Sequence, residues 1–284
     1  MKNILNTPWG HAVAQWFGRH HRSWLCRQLG EASYFLWRAC ENRNFNMTTN
    51  GEEWLLRTLA KRGQLKCAFD VGANSGEWLA LCRKHHPGVS IHAFEIAPPT
   101  FSKLQHNTRA CPDITLNGFG LSDCNGSIEV FYDDTADQVT SAYPDNFGTG
   151  FEPFERRKFS LKTIQARIVR GDDYARDNKV RTIDFLKIDV EGMEQSVLRG
   201  FDALFQNKSI RLVQFEYNTP NIISKFLLRD AYQFFNGFGY CLGKLYPNYV
   251  EFRDYHYRHE DFCGPNMIAV RKEDVELQKI LSNS

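Results

Sequence analysis

The stretch Cys67-Ala68-Phe69-Asp70-Val71-Gly72-Ala73-Asn74-Ser75-Gly76-Glu77 decides the reading of the fold. Residues 67–71 form a short apolar run of the length of a buried strand, and it opens directly into a turn rich in small residues. Gly72, Ala73 and Gly76 let the backbone turn sharply and approach a ligand closely. A helix is expected over 77–85, closed by Pro87-Gly88, with its first N–H groups facing whatever the turn holds. A second strand over 90–95 completes a βαβ unit.

The alternation continues towards the C-terminus. A helix is predicted over 100–109, strands over 114–122, 182–190, 210–218, 240–246 and 267–270, and a helix over 193–199. The run 182–190 is almost continuously apolar, as in a strand covered on both faces. Segments 127–133 and 162–170 alternate like an antiparallel pair. The fold class is therefore α/β: a doubly wound, mostly parallel seven-stranded sheet with helices on both faces. Residues 134–160 read as a long, lid-like insertion.

Upstream of residue 62 the character changes. Trp9, Val13, Trp16, Phe17, His20 and Trp24 follow the spacing of an amphipathic helix, and further helices are expected over 31–40 and 51–61. Residues 1–50 carry a charge of +4, leaving −2 for the rest of the chain. Three readings fit this aromatic, basic segment: packing on the main domain, a homodimer interface, or peripheral contact with an anionic membrane.

Composition narrows the function classes. The 284 residues are 42% hydrophobic and 24% charged with a net charge of +2, which suits a globular protein without a strong field for nucleic acid. The longest apolar runs, such as 78–82, are far too short to span a membrane, and the N-terminus lacks the apolar block of a secretory signal. Eight scattered cysteines without a CxxC pair suggest reduced thiols and a cytoplasmic protein. His256, His259 and Cys263 lack a fourth ligand for zinc, and His85-His86 reads as a solvated helix face.

In open parallel sheets ligands sit at the carboxyl ends of the strands. Asp70 ends the first strand there, and Glu95, 25 residues later, ends the second, where a carboxylate suits the two hydroxyls of a ribose. A dinucleotide fingerprint would need glycine at 72, 74 and 77, but Asn74 and Glu77 occupy two of those positions. The acid at Asp70 suits an ammonium better than a pyrophosphate. These features favour S-adenosylmethionine (SAM) over NAD.

Five segments in fixed order carry a more specific signal: FDVGANSGEW (69–78), HAFEIAPPTFSKL (92–104), GLSDCNGSIEVFYDD (120–134), IDFLKIDVEGMEQSVLRGF (183–201) and VQFEYN (213–218). Together they resemble the FkbM family of SAM-dependent methyltransferases. The resemblance implies a Rossmann-like class I methyltransferase fold over 63–284, preceded by a helical extension over 1–62. It implies that Asp70, Gly72, Ala73, Asn74, Gly76 and Glu77 line the methionine end of SAM and that Glu95 holds the ribose. Ile96, Leu121 and Ser122 would flank the adenine, and Asp189 would face the sulfonium and the acceptor.

The implied chemistry is O-methylation of a hydroxyl-bearing glycan or small molecule, a sugar hydroxyl first and a non-sugar alcohol such as a polyketide second. A SAM-binding regulatory protein without turnover is a third reading, against which the intact Asp189-Val190-Glu191-Gly192 stretch counts. The proton of the acceptor would pass to Asp189 or Glu191, with Glu216 as a further candidate. Asp189, Glu216 and Asn218 could alternatively hold a magnesium ion. Nucleic acid is not expected as a substrate, because the catalytic segment has no basic excess and no NPPY-like strand end.

Overall fold

A computed structural model describes residues 6–63, 65–111, 113–133, 140–147, 161–264 and 266–282. The chain divides into two compact units, Met1–Arg43 and Asn44–Ser284.

The first unit holds α1 (Pro8–Arg19) and α2 (Trp24–Cys40). Each starts on a side-chain cap: Thr7 Oγ1 accepts the Gly10 N–H at 3.1 Å, and Ser23 Oγ accepts that of Cys26 at 3.3 Å. Pro8 occupies the first turn of α1, where its missing N–H costs nothing.

The second unit begins with α3 (Glu52–Ala60), β1 (Cys67–Val71), α4 (Glu77–His85), β2 (Ser90–Phe94), α5 (Pro98–Thr108) and β3 (Ile114–Asn117). There follow β4 (Gly120–Ser122), β5 (Gly126–Asp133), β6 (Thr140–Ser141), β7 (Leu161–Arg170), α6 (Gly171–Asp177), β8 (Ile183–Ile188), α7 (Glu194–Gly200) and α8 (Asp202–Gln206). The chain ends with β9 (Ile210–Glu216), α9 (Pro220–Ser224), α10 (Leu228–Gly237), β10 (Tyr240–Tyr246), β11 (Tyr249–Phe252), β12 (Asn266–Arg271) and α11 (Val275–Ser282).

The main sheet has the order β11-β10-β12-β9-β8-β1-β2-β3. Its central strands are parallel, and β12 is inserted antiparallel between β9 and β10. The strand order reverses between β1 and β8, which opens a crevice at their carboxyl ends. Successive residues face opposite cores: Phe69, Leu186 and Val213 enter one, while Ala68, Phe185 and Leu212 enter the other. A sheet covered on both faces explains the continuous apolar runs.

Four expectations need correction. The main sheet has eight strands rather than seven, because Tyr249–Phe252 folds back on Tyr240–Tyr246 as an added edge. The segment 114–122 is two strands, since the chain leaves the main sheet after Asn117 and β4 joins a second sheet, β4-β7-β5-β6. That sheet contains the expected antiparallel pair, with Val130 opposite Ile164. His86 is fully buried, not solvated: its ring accepts from the Leu65 N–H at 3.1 Å and lies 2.9 Å from the Leu56 carbonyl. Helix α3, grouped above with the extension, places Leu55, Leu56 and Leu59 in the sheet core, so the compact unit already starts at Asn44. Of the insertion 134–160, residues 134–139 and 148–160 lie outside the described residues.

Candidate active site

The crevice opens into a cavity of about 520 Å³, a size suited to a small-molecule ligand. Its wall is built from the ends of β1, β2, β8 and β9, with Thr140–Ser141 and the start of α3 closing it. Six carboxylates line it, Glu52, Glu77, Glu95, Asp189, Glu191 and Glu216, against two lysines, Lys103 and Lys187. An excess of acid in a partly dry cavity favours a ligand that carries positive charge.

The turn after β1 is organised by backbone strain and one carboxylate. Gly72 has φ +83°, and a Cβ on it would overlap the Asp189 carbonyl oxygen. This is the close approach of β1 to β8, and it excludes any side chain at 72. Asn74 also lies in the left-handed region, φ +46°, which asparagine tolerates better than most residues. The N–H groups of Gly72 and Ala73 both donate to the Phe94 carbonyl, and that of Asn74 to Glu95 Oε2 at 3.0 Å. The turn's own amides are thus largely spent inside the protein. The groups left for an anionic ligand end are the first N–H groups of α4, which have no intrahelical acceptor.

Glu95 also accepts the Ala97 N–H at 2.9 Å. Burial pushes its pKa up to about 7, partly offset by those two hydrogen bonds. A buried, half-satisfied carboxylate in the cavity wall is a strong acceptor for hydroxyl donors.

In the cavity floor lies Lys187, which is buried and ion-paired with Asp70 at 3.3 Å and Asp189 at 3.2 Å. Burial by itself would discharge this lysine, but Asp189, Asp70 and Glu52 more than reverse that and hold it protonated. Asp70 is fully buried, and its pKa is raised to about 6, by burial first and against the pull of Lys187. Asp70 therefore anchors Lys187 from beneath the cavity and does not itself line it.

At the ends of β8 and β9, Asp189, Glu191 and Glu216 bring carboxylate oxygens within 4.8 Å of one another. Glu191 and Gly192 both have positive φ, +51° and +106°, so the turn between them is tight. Glu194 pins it: Oε1 accepts the N–H groups of Gly192 at 3.1 Å and Val190 at 3.3 Å, and Oε2 accepts from Asn221 at 3.0 Å. Ser141 donates to the Glu191 carbonyl at 2.9 Å, tying β6 to the same turn. Glu216 is pushed well above the usual carboxylate range by burial, then by Asp189, Glu191 and Glu194, with Lys187 opposing.

Most residues singled out from the sequence meet here. Gly72, Ala73, Asn74, Glu77, Glu95, Ile96, Leu121, Asp189, Glu191 and Glu216 all line the cavity. Three of the expected ligand contacts do not. Asp70 lies beneath the floor, while a Cβ on Gly76 would press on Leu104 Cδ1 at 2.9 Å, so Gly76 packs the turn onto α5. Ser122 is buried with its carbonyl against Gly200, which makes it a packing residue. Asn218, expected beside Asp189 and Glu216 as a magnesium ligand, is not among the residues that line the cavity, and its backbone N–H donates to Asn221 Oδ1 at 2.8 Å; Glu191 adds a carboxylate beside Asp189 and Glu216.

Sequence reasoning missed Glu52, Lys187, Glu194 and Trp78. Glu52 is held by Asn50 at 2.8 Å and Gln214 at 2.7 Å, across 162 residues of chain in the second case. Trp78 lines the cavity and its buried indole N–H has no acceptor among the described residues. Lys187 did leave a signal, since a lysine inside a strand buried on both faces must find partners.

The methyltransferase FkbM domain family matches residues 70–242, a segment that contains all of the cavity's lining except Phe45, Met47, Asn50, Glu52 and Asn266. The chain belongs to that family. Over 152 residues it is 30% identical to 31-O-demethyl-FK506 methyltransferase FkbM of Streptomyces tacrolimicus, covering 47% of this chain and 58% of that protein. Over 180 residues it is 26% identical to hexuronic acid methyltransferase AglP of Haloferax volcanii, covering 62% and 68%. A SAM-dependent methyltransferase structure from Agrobacterium tumefaciens gives a TM-score of 0.41 at 7% identity, over 78% of this chain and 60% of that one. Likeness at that level adds nothing to the family match.

The family and the fold imply SAM, and the donor set fits it. The cavity offers a carboxylate for ribose hydroxyls, acidic walls for ammonium and sulfonium charges, and an unsatisfied indole N–H beside the first turn of α4.

Proposed function

We propose that this chain transfers a methyl group from SAM to an aliphatic hydroxyl, foremost one on a sugar of a glycan, glycolipid or glycosylated natural product. The observation that carries the reading is the trio Asp189, Glu191 and Glu216, gathered across the cavity from the Glu95 side of the crevice. The names of two relatives support the acceptor class, one giving an O-methyl position and the other a sugar acid. A neutral hydroxyl fits these acidic walls better than a carboxylate-bearing acceptor.

Glu95 would hold the ribose, with Ile96 and Leu121 offering apolar surface to the base. The α4 N-terminus and Trp78 would take the carboxylate, and Glu52 with Asp189 would face the cationic end. The cofactor supplies a methyl group already activated on a sulfonium. What remains for the protein is to orient an acceptor oxygen and to take its proton. Glu216 suits the second task, because burial and the neighbouring Asp189, Glu191 and Glu194 raise its pKa and so make it more basic than an ordinary carboxylate. Lys187 holds Asp189 in place through their ion pair, and Asp189 in turn helps to make Glu216 more basic.

The test is incubation of the protein with methyl-labelled SAM and a panel of neutral sugars, uronic acids and polyketide-type alcohols, read as mass gain. Transfer to a neutral sugar is expected. Transfer only to a non-sugar alcohol would overturn the sugar reading, and SAM binding without transfer to any alcohol would favour a regulatory role. In this reading the trio works without a shared magnesium ion. Turnover should then survive EDTA, and loss that magnesium restores would assign the trio to an ion.

A further inference from the structure

We infer that α1 and α2 form a docking surface for an anionic lipid bilayer, lying in its interface with their apolar stripes down. This inference is independent of the methyl-transfer reading. Both helices are amphipathic, and their apolar sides are uncovered. Along α2, Leu25, Leu29 and Leu36 stand at i, i+4 and i+11 on one stripe and are 51%, 44% and 62% exposed. Arg27, Glu31 and Arg38 occupy the opposite face, while Trp24 and Phe35, 75% and 70% exposed, sit at the border between the two. Along α1, Trp9, Val13, Trp16 and Phe17 share a face, with His11 and Gln15 opposite and Arg19 at the border.

Helices of 12 and 17 residues are marginal in water without a covered apolar face. A partner is therefore required, and charge selects it. Residues 6–43 carry Arg19, Arg22, Arg27, Arg38 and Arg43 against Glu31 and Glu41, an excess of positive charge. A second copy of the same surface would set these like charges against each other, whereas an anionic bilayer neutralises them. Trp at the edge of an apolar stripe, with arginine above it, is the composition that settles at the headgroup level, where the rings meet acyl chains and the polar edges meet water. Among the described residues no helix is long and apolar enough to cross a membrane, so the contact is peripheral.

The experiment is co-sedimentation of the full chain with vesicles of phosphatidylcholine alone and of equal parts phosphatidylcholine and phosphatidylglycerol. The bound fraction should rise about tenfold on the anionic vesicles and fall as salt is added. The exposed triple variant L25E/L29E/L36E should lose binding to both, while R19Q/R22Q/R27Q should lose only the preference for anionic lipid; both should still titrate SAM as the parent does. Equal binding to the two vesicle types, or none, would overturn the proposal. So would a stable dimer in sedimentation equilibrium that L25E/L29E/L36E dissolves while vesicles are ignored.

Discussion

Two turns close the same crevice, and each is pinned by a buried glutamate. After β1, Glu95 accepts the N–H groups of Asn74 and Ala97; after β8, Glu194 accepts those of Gly192 and Val190. Burial lifts both carboxylates to about 7, and backbone hydrogen bonds pull both back down. They part company in what the rest of each carboxylate sees. Glu95 lies in the cavity wall, where a ligand can reach its oxygens. Glu194 lies behind the wall and gives its second oxygen to Asn221. The same local electrostatics therefore leave one glutamate open to the cavity and commit the other to the shape of the loop. A raised pKa marks a buried carboxylate, and what can reach its oxygens decides whether it binds anything.

The sharpest way to break both turns at once is at Gly72, where β1 and β8 touch. Gly72→Asp forces a Cβ into the Asp189 carbonyl at a positive φ, and SAM binding should fall below detection in a calorimetric titration. Saturable binding in this variant would show that the turn is not the cofactor site, and NADH is the control ligand.

Next in size is the acceptor side. Glu216→Gln should lower kcat by roughly 10²–10³-fold, the usual range for a lost general base, and leave SAM affinity within a few-fold. A Kd that moves as much as kcat would assign Glu216 to cofactor binding instead.

The two pinning glutamates then separate. Glu95→Gln keeps the shape but loses charge-assisted hydrogen bonds to the ribose, worth about 1.5–3 kcal/mol, so SAM should bind roughly 10- to 100-fold more weakly. Glu194→Gln should leave SAM affinity within about twofold and lower kcat by less than roughly tenfold, through a looser Asp189–Gly192 turn. Equal losses of SAM affinity in the two variants would erase the distinction drawn above.

The smallest effect is in pH. Glu95 must be ionised to accept two ribose hydroxyls well, so SAM affinity should rise severalfold as pH climbs through about 7, and Glu95→Gln should flatten the profile. Stability should move the opposite way. Glu95 and Glu194 keep their protons in the fold up to about 7 but lose them near the ordinary carboxylate value, 4.5, when unfolded. The native state holds more protons in that window, so the melting temperature of the free protein should fall as pH rises across it. Glu194→Gln should remove part of that slope.

Much of this crevice was legible in the sequence because its parts are local. A strand, a turn of small residues and a helix start need only neighbouring residues, and Glu95 follows Asn74 closely enough for one βαβ unit to join them. The misses have a common cause. Asp70, Gly76 and Ser122 sit in ligand-binding motifs yet face inward, since a residue's place in a motif does not say which side of the strand end it takes. Glu52 could not be found from the motifs because its partner Gln214 belongs to β9, and His86 looked solvated because Leu56 and Leu65, which bury it, come from α3 and the loop after it.

By itself the sequence determined the α/β alternation, the tight turn at 72–76, the acid at the end of β2 and the order of motifs that places the chain in its family. Short-range sterics and hydrophobic periodicity suffice for these. Only the tertiary structure decided which acids share a cavity, which pinning glutamate opens onto it, and that Lys187 sits between Asp70 and Asp189. Those outcomes depend on the reversal of strand order between β1 and β8, which brings residues more than a hundred positions apart to within ion-pair distance in a place where water is scarce.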